Sequence, residues 1–318
     1  MIRIGVDLGG TNIKAGLVDE NQRIISTDSV LTYKQRSADD IIRDMAELIK
    51  ALLDKNHLKI EDLAGIGIGC PGTIDAQNGI VLYSNNIAWR QVALKREMQK
   101  YFSCLIEVSN DANVAALGEV KAGAGKKVRN AILLTLGTGV GGGIILDGKI
   151  YEGAHVGGAE LGHTSLILGG KPCTCGRNGC VEAYVSASAL IRDAKEAMKK
   201  QPDSLLFSLC DGLESHIDGK LVFDAAKLGD KAAKNVVDQY ILYLGEAIVN
   251  FVNIFRPDMV LLSGGICNQG DYLTKPLQKI VEQKSFGGGM AYVPEIACAS
   301  LGYEAGILGA ANLIDIHL

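Results

Sequence analysis

Four metal-binding side chains fall within a short stretch of this chain: His163, Cys173, Cys175 and Cys180, spaced H-x9-C-x-C-x4-C. Three thiolates and one imidazole are a tetrahedral zinc set, and closed sulfur-rich sites are usually structural rather than catalytic. Gly169-Gly170, Gly176 and Gly179 permit the tight loop that would gather them. Buried thiols that merely neighbour one another are the plainer alternative. Glu160 and Glu182 stand just outside the two ends of the cluster, so a metal that ties the loop down would fix both carboxylates and the imidazole.

A second constellation is Asn110-Asp111, which follows the apolar run Leu105 to Ser109. In α/β proteins ligands bind beyond the carboxyl ends of strands. A carboxylate there can accept the proton of an attacking hydroxyl. In phosphoryl transfer such a group acts more by positioning and charge than by base strength. Simple capping of the next helix is the alternative.

Two glycine hairpins complete the set. The first, Asp7-Leu8-Gly9-Gly10-Thr11-Asn12-Ile13-Lys14, joins a carboxylate, a tight turn, a hydroxyl and an ammonium. Its amides, Thr11 and Lys14 suit phosphate oxygens, and Asp7 suits Mg²⁺ held through water. A strand follows it, so it is no Walker loop, which needs G-x-x-x-x-G-K-[ST] before a helix. An ordinary hairpin remains the bland reading. The second, Gly137-Thr138-Gly139, runs on through Gly141, Gly142 and Gly143. Gly264-Gly265, after another apolar run, either lets a nucleotide approach the backbone or simply turns a strand into a helix. Asn86 is a candidate sugar contact, whereas Trp89 is read as core; His155 and His216 are read as surface or packing residues.

The elements that must hold these groups follow from periodicity. Residues 2–8, Ile13 to Val18 and Arg23 to Ser29 predict a β-meander, and Ser37 with Asp40 a capping box opening a helix. Ala64 to Gly69 and Leu105 to Ser109 predict buried strands, with a helix from Asp111 to about Lys121. A second meander begins at Ala131. Leu8-Gly9-Gly10-Thr11 and Leu136-Gly137-Thr138 open similar patterns that end on Asp19 and Asp147, a weak internal repeat that suggests two lobes of like topology. Ser186 caps a helix to about Lys200, residues 201–222 read as a polar, irregular surface excursion, and Asp230 opens a helix to about Phe255. Met259 to Ser263 predicts a strand, Pro276 the start of a helix, Pro294 to Ala299 a strand, and Tyr303 the start of the last helix. The lobes are expected to be 1–121 and 122–318, with the last helix, about 303–318, able to pack back on the first.

Bulk properties set the limits. The 318 residues exceed what one core usually takes, so two lobes are expected. A hydrophobic fraction of 47% with 21% charged residues is globular usage. Net charge is −4 with no basic run, which argues against nucleic acid as a partner. No apolar run is long enough for a membrane span, and Met1 leads straight into a strand with no leader pattern. Beyond the cluster, Cys70, Cys104, Cys210, Cys267 and Cys298 are scattered, which fits a reducing cytoplasm better than a disulfide framework.

Seven segments together resemble the ROK family of repressors and sugar kinases, most closely its bacterial glucokinases. They are DLGGTNIKAGLVD from Asp7, GIGCPG at 67–72, NDANVAALGE at 110–119, LTLGTGVGGGI at 134–144, GAELGH at 158–163, CTCGRNGCVE at 173–182 and LLSGGI at 261–266. The resemblance implies an α/β, two-lobed fold of the actin-like, ribonuclease H-like ATPase kind (hexokinase type), with a zinc-bound loop, closing over ATP and sugar. It implies Asp111 as catalytic base, with Gly72, Asn86, Asn110, Asp111, Glu160, His163 and Glu182 binding the sugar. Nucleotide contacts would come from Asp7, Gly9, Gly10, Thr11, Asn12, Lys14, Gly137, Thr138, Gly139, Gly264 and Gly265. Implied cofactors are ATP, Mg²⁺ and a structural Zn²⁺ on His163, Cys173, Cys175 and Cys180. The expected activity is phosphorylation of glucose to glucose 6-phosphate, the entry step of glycolysis, in a cytoplasmic homodimer, in some members a tetramer. Kinases for N-acetylmannosamine, N-acetylglucosamine, fructose, mannose or allose are the nearest alternative, and a non-catalytic sugar sensor is the reading from another class. Family repressors carry a DNA-binding segment ahead of the DxGGT motif; only six residues precede Asp7, so that branch is expected to be excluded.

Overall fold

Isoleucine alternates with glycine along Gly65-Ile66-Gly67-Ile68-Gly69, and on a strand that alternation sends bulk to one face and leaves the other bare. The computed structural model, which describes residues 1–316, uses both faces. Its strands and helices run β1 (Ile2–Leu8), β2 (Asn12–Val18), β3 (Ile24–Leu31), α1 (Ala38–Lys55), β4 (Leu63–Cys70), β5 (Thr73–Asp75), β6 (Ile80–Ser84), β7 (Trp89–Val92), α2 (Leu94–Met98), β8 (Ile106–Asn110) and α3 (Asp111–Ala122). They continue as β9 (Ala131–Leu136), β10 (Val140–Leu146), β11 (Lys149–Ile150), α4 (Glu182–Val185), α5 (Ala187–Lys200), α6 (Leu205–Leu209), α7 (Gly219–Lys227), α8 (Lys231–Phe255), β12 (Met259–Ser263), α9 (Asp271–Lys284), β13 (Glu295–Cys298) and α10 (Glu304–Asn312).

Two compact units partition the chain. The first holds Met1–Ile132, Gly143–Ala159 and the chain from Ser300 on; the second holds Leu133–Gly142 and Glu160–Ala299. A single cut at 121/122 is therefore not how the chain divides. Segment 143–159 returns to the first unit, where Ser109 Oγ donates to Glu152 Oε1 at 2.9 Å. The C-terminal segment also returns: the buried Glu119 accepts the amides of Ser300 at 3.2 Å and Leu301 at 2.8 Å, and α10 then packs on α3 and β1. Residues 317 and 318 of the expected last helix lie outside the described residues.

The first unit is built on a sheet ordered β3-β2-β1-β4-β8, with β1 to β3 antiparallel and β1, β4 and β8 parallel. Ile4, Val6 and Leu8 of β1 and Ile66 and Ile68 of β4 face a core closed by Ile41, Met45, Ile49 and Leu52 of α1. Ser37 caps α1 by accepting the Asp40 amide at 3.2 Å. On the opposite face α10 lies so close that a Cβ on Gly5 or Gly67 would overlap the carbonyls of Ile307 or Ala310. A three-stranded antiparallel sheet, β5-β6-β7, also belongs here; its short strands were missed because turn residues interrupt them.

A second sheet is ordered β11-β10-β9-β12-β13, the same sequence of hairpin, hairpin and crossover strands as the first. The weak repeat in the amino acids is thus a repeat of topology. In the second unit residues 201–222 are not irregular: α6, a 3₁₀ turn at Glu214–His216 and the start of α7 bury Leu206, Cys210, Ile217 and Val222. Apolar residues there are interrupted by Pro202, Gly212 and Gly219 before any one period is sustained. Helix α9 begins at Asp271, so Pro276 lies inside it rather than opening it. Among the described residues no helix is long and apolar enough to cross a membrane.

Gly309 of α10 abuts the carbonyl of Val114 in α3. Glycine to alanine inside a helix normally stabilises by about 1 kcal/mol. Here the sign reverses: Gly309→Ala forces two helix backbones apart and is expected to cost about 3 kcal/mol, read as a lower denaturant midpoint. An unchanged or higher midpoint would contradict the packing described.

Candidate active site

Parallel pairing sets the first unit's polar groups in a row. Asp7 of β1 pairs with Gly69 of β4, and Cys70 of β4 pairs with Asn110 of β8. Asp7 and Asn110 therefore sit near the carboxyl ends of β1 and β8, the two strands that flank β4, and Asp111 opens α3 immediately beyond. Asn110, not Asp111, is the N-cap: its Oδ1 accepts from Ala112 N at 2.9 Å and Asn113 N at 3.2 Å. Its Nδ2 donates to the Gly72 carbonyl at 3.0 Å, at a glycine with φ +115°. Both ends of the amide are thus fixed. Relieved of capping α3 by way of Asn113, Asp111 keeps one local bond, from Ala112 N to its Oδ1 at 2.9 Å.

Burial raises the pKa of Asp111, with the Ala112 amide opposing the rise. Burial also raises that of Asp7; Lys14, its cross-strand partner, works against the shift, and the Asp111 charge adds to it. Two carboxylates, one of which raises the pKa of the other, with a single ammonium beside them, are a donor set suited to a hydrated divalent cation. Lys14 Nζ also lies 5.3 Å from the ring centre of Tyr303. In the first hairpin Gly9 N donates to Asn12 O at 3.0 Å and Thr32 Oγ1 to Gly9 O at 2.6 Å, so Thr11 projects from a closed turn and is exposed. Asn86 is exposed in the β6–β7 loop alongside Gly10. Trp89 is buried in the core. Glu152, which no pattern pointed to, lies half-buried against Ser109, one residue before Asn110; burial raises its pKa. Its signal is purely tertiary, since the loop around it reads as ordinary surface.

In the second unit the four metal-ligand atoms of His163, Cys173, Cys175 and Cys180 all lie within 4.8 Å of one another. Cys173 Sγ is 3.6 Å from His163 Nδ1, and Cys175 Sγ is 3.7 Å from Cys180 Sγ. With zinc–sulfur bonds of about 2.3 Å and zinc–nitrogen bonds of about 2.0 Å, tetrahedral edges come to about 3.5 and about 3.8 Å. The donor set fits zinc. Burial pushes the Cys173 thiol up to about 12. Backbone hydrogen bonds shape the loop, Cys173 N to Arg177 O at 2.8 Å and Gly176 N to Cys173 O at 3.0 Å, while Arg177 Nη1 donates to His163 O at 2.9 Å.

Glu182 joins this loop to the second hairpin. Its Oε2 accepts Val140 N at 3.0 Å, and its Oε1 accepts Thr174 Oγ1 at 2.7 Å with Cys173 Sγ 3.5 Å away. A Cβ on Gly139 would overlap Oε2, so Gly139 is needed for the carboxylate to reach the backbone. The hairpin is further held by Gly137 N to Gly139 O at 3.0 Å and Ala187 N to Gly137 O at 2.8 Å, leaving Gly137 and Thr138 exposed. Glu160 is exposed and its carbonyl accepts His163 N at 3.1 Å. Gly264 and Gly265 are exposed after β12, Gly264 at φ +108° against the Leu136 carbonyl. The residues expected from sequence thus form two groups, one in each unit: Asp7 to Lys14, Gly72, Asn86 and Asn110-Asp111 in the first, and the hairpin, Glu160, His163, Glu182 and Gly264-Gly265 in the second.

Two five-stranded sheets of like order, each led by a glycine hairpin, define an α/β sugar-kinase type of protein, matching the hexokinase-type expectation. The chain belongs to the ROK family, whose model matches residues 3–316. It is 39% identical to a glucokinase of Thermotoga maritima over 98% of this chain and 96% of that protein. It is 37% identical to a glucokinase of Halalkalibacterium halodurans over 98% and 94%. The structure of a ROK family glucokinase from Streptomyces griseus, in complex with glucose and AMPPNP, superposes with a TM-score of 0.81 at 35% identity, covering 98% of this chain and 99% of that one.

The raised Asp111 pKa has a stability consequence. Above that pKa the folded protein holds an ionised carboxylate that burial disfavours; below the ordinary carboxylate range both states are protonated and the cost disappears. Asp111→Asn is therefore expected to raise the denaturation midpoint at neutral pH, with the gain fading as pH falls through the raised pKa. Equal midpoints across that range would contradict the burial argument.

Proposed function

We propose that this chain transfers the terminal phosphoryl group of ATP to the 6-hydroxyl of glucose. The observation that carries the reading is Asp111: a partly buried carboxylate with a raised pKa at the carboxyl end of the parallel strands, beside an asparagine fixed at both ends. Similarity to named glucokinases over nearly the whole chain supports glucose as the acceptor and ATP as the donor.

Asp111 orients the attacking hydroxyl and takes its proton as the bond to phosphorus forms. Asn110 and the Gly72 turn hold the sugar beside it. Glycine turns with Thr11 and Thr138 offer amides and hydroxyls to the phosphates, Lys14 adds charge, and Gly264-Gly265 suits the adenosine end. Mg²⁺, when bound, supplies charge neutralisation on the phosphates, and Asp7 is the residue that would hold it through water. Glu160, His163 and Glu182 bind ring hydroxyls; polar groups matched to those hydroxyls reject sugars that lack them. Zinc, when bound by His163, Cys173, Cys175 and Cys180, fixes the loop. His163 presents Nδ1 to that cluster and keeps Nε2 for the sugar, so one ligand sets both the position and the tautomer of a sugar contact. A cytoplasmic homodimer is the assembly this reading carries.

A coupled ADP-release assay across glucose, mannose, fructose, allose and the N-acetylhexosamines, with ATP, is expected to give the highest kcat/KM for glucose. Asp111→Asn is expected to keep glucose affinity while losing about 10³-fold in kcat. Near-normal turnover in that variant, or no turnover of any sugar by the unaltered protein, would overturn the proposal.

Elemental analysis is expected to find one zinc per chain at the four-residue cluster. Its removal by a chelator should lower the melting temperature and weaken sugar binding measured by calorimetry, since metal binding is coupled to the folding of its loop. Active protein without zinc would refute the metal assignment.

A further inference from the structure

Two cysteines far apart in sequence meet beside the Gly264-Gly265 turn. Cys267 lies in the 3₁₀ turn Gly265–Gln269 that follows β12, and Cys298 ends β13. Parallel pairing brings the two strands together, with Leu262 opposite Cys298. The turn then folds back: Cys267 N donates to Gly264 O at 3.0 Å, and Cys298 Sγ lies 3.4 Å from Cys267 O. That contact, from the Cys298 thiol to the Cys267 backbone, brings the two residues directly against each other. Both are partly exposed rather than sealed in the core.

We propose that Cys267 and Cys298 form a peroxide-sensitive dithiol, whose closure to a disulfide ties the Gly264-Gly265 turn to the end of β13 and weakens nucleotide binding. Neither thiol has a part in the chemistry described above. The hydrogen bond from Cys267 stabilises the Cys298 thiolate, lowering its pKa to about 7, while burial and the Asp271 charge oppose the shift. The same bond pushes Cys267 well up, so it stays a thiol. One member of the pair is thus an anionic nucleophile near neutral pH and the other a ready partner, the arrangement of a reactive and a resolving cysteine.

The steps balance with hydrogen peroxide as oxidant. The Cys298 thiolate attacks one peroxide oxygen, the O–O bond breaks, and hydroxide leaves and takes up a proton as water; Cys298 becomes a sulfenic acid. The Cys267 sulfur then displaces the sulfenic oxygen, which leaves as a second water with the thiol proton, and the S–S bond forms. Two electrons pass from the two thiols to peroxide. The two sulfurs must close to a disulfide length of about 2.05 Å. That movement draws on a turn already set at φ +108° at Gly264, which abuts the carbonyl preceding Gly137.

The nucleotide consequence rests on the functional reading above; the thiol chemistry does not. The full-length, zinc-loaded protein would be exposed to hydrogen peroxide, digested without reduction and mapped by mass spectrometry, with Cys267→Ser and Cys298→Ser treated alike. The expected product is one cross-linked peptide pair joining Cys267 to Cys298, cleaved by dithiothreitol and absent from both variants. ATP affinity of the unaltered protein, read by calorimetry, should fall at least threefold on oxidation and recover on reduction, while both variants keep theirs. Absence of the cross-link, with Cys298 unmodified or taken on to sulfinic acid, overturns the proposal; so does a cross-link that leaves ATP affinity unchanged. Failure of the kinase reading would show separately, as lack of turnover by the unoxidised protein.

Discussion

Helix α10 runs backbone against backbone on the first sheet, and the geometry of the first unit depends on that approach. Side chains normally separate a helix from a sheet by about 10 Å. Here the strands present bare glycine on the helix side, at Gly5 and Gly67, and the helix presents Gly309 to α3 in return. The consequence is electrostatic as well as steric. Drawing α3 and α10 close to the strand ends leaves Asp7 and Asp111 little water, so both carboxylates sit where burial disfavours their charge, and the Asp111 charge adds to the cost at Asp7. A site with that much stored anionic field suits a cation, a proton to be taken up, or both.

The second unit achieves its rigidity by other means. Its hairpin and its cysteine loop have little apolar packing of their own, and polar links substitute for it. Glu182 is the central one: a single carboxylate holds Val140 of the hairpin by one oxygen and Thr174 of the loop by the other. A residue expected only to contact sugar is therefore also the joint between two functional loops. Any group that competes for Oε1 acts on the backbone bond at Oε2 through one rigid carboxylate.

Much of this was legible before any coordinates. The cysteine spacing, the two DLGGT-like openings and Asn110-Asp111 each carry their chemistry in consecutive residues, so local sequence was enough to find them. Ile4, Val6 and Leu8 alternate with period two, and Ser37, Ser186 and Asp230 cap helices as expected, because a cap is a contact between residues three apart. The assignments that failed were those where tertiary packing overrides local signals. Residues 201–222 fold into short helices because Leu206, Cys210 and Val222 find a core that the segment's own polarity hides. The cut at 121/122 failed because segment 143–159 rejoins the first unit through Glu152; the last helix returns as expected, through Glu119 and α10, by contacts spanning up to 309 residues.

Sequence alone therefore determined the chemical inventory: which residues can bind metal, cradle phosphate or take a proton, and in what order along two repeated motifs. Tertiary structure decided what those residues do to one another. It made Asn110 the cap and so freed Asp111, turned Glu182 toward the hairpin, and brought Cys267 and Cys298 into hydrogen-bond contact. The physical reason is the range of the interactions. Propensity, capping and strand alternation act within a few residues and are written in the local string. Desolvation and the approach of distant side chains depend on how strands pair and helices lie, and no local string records that.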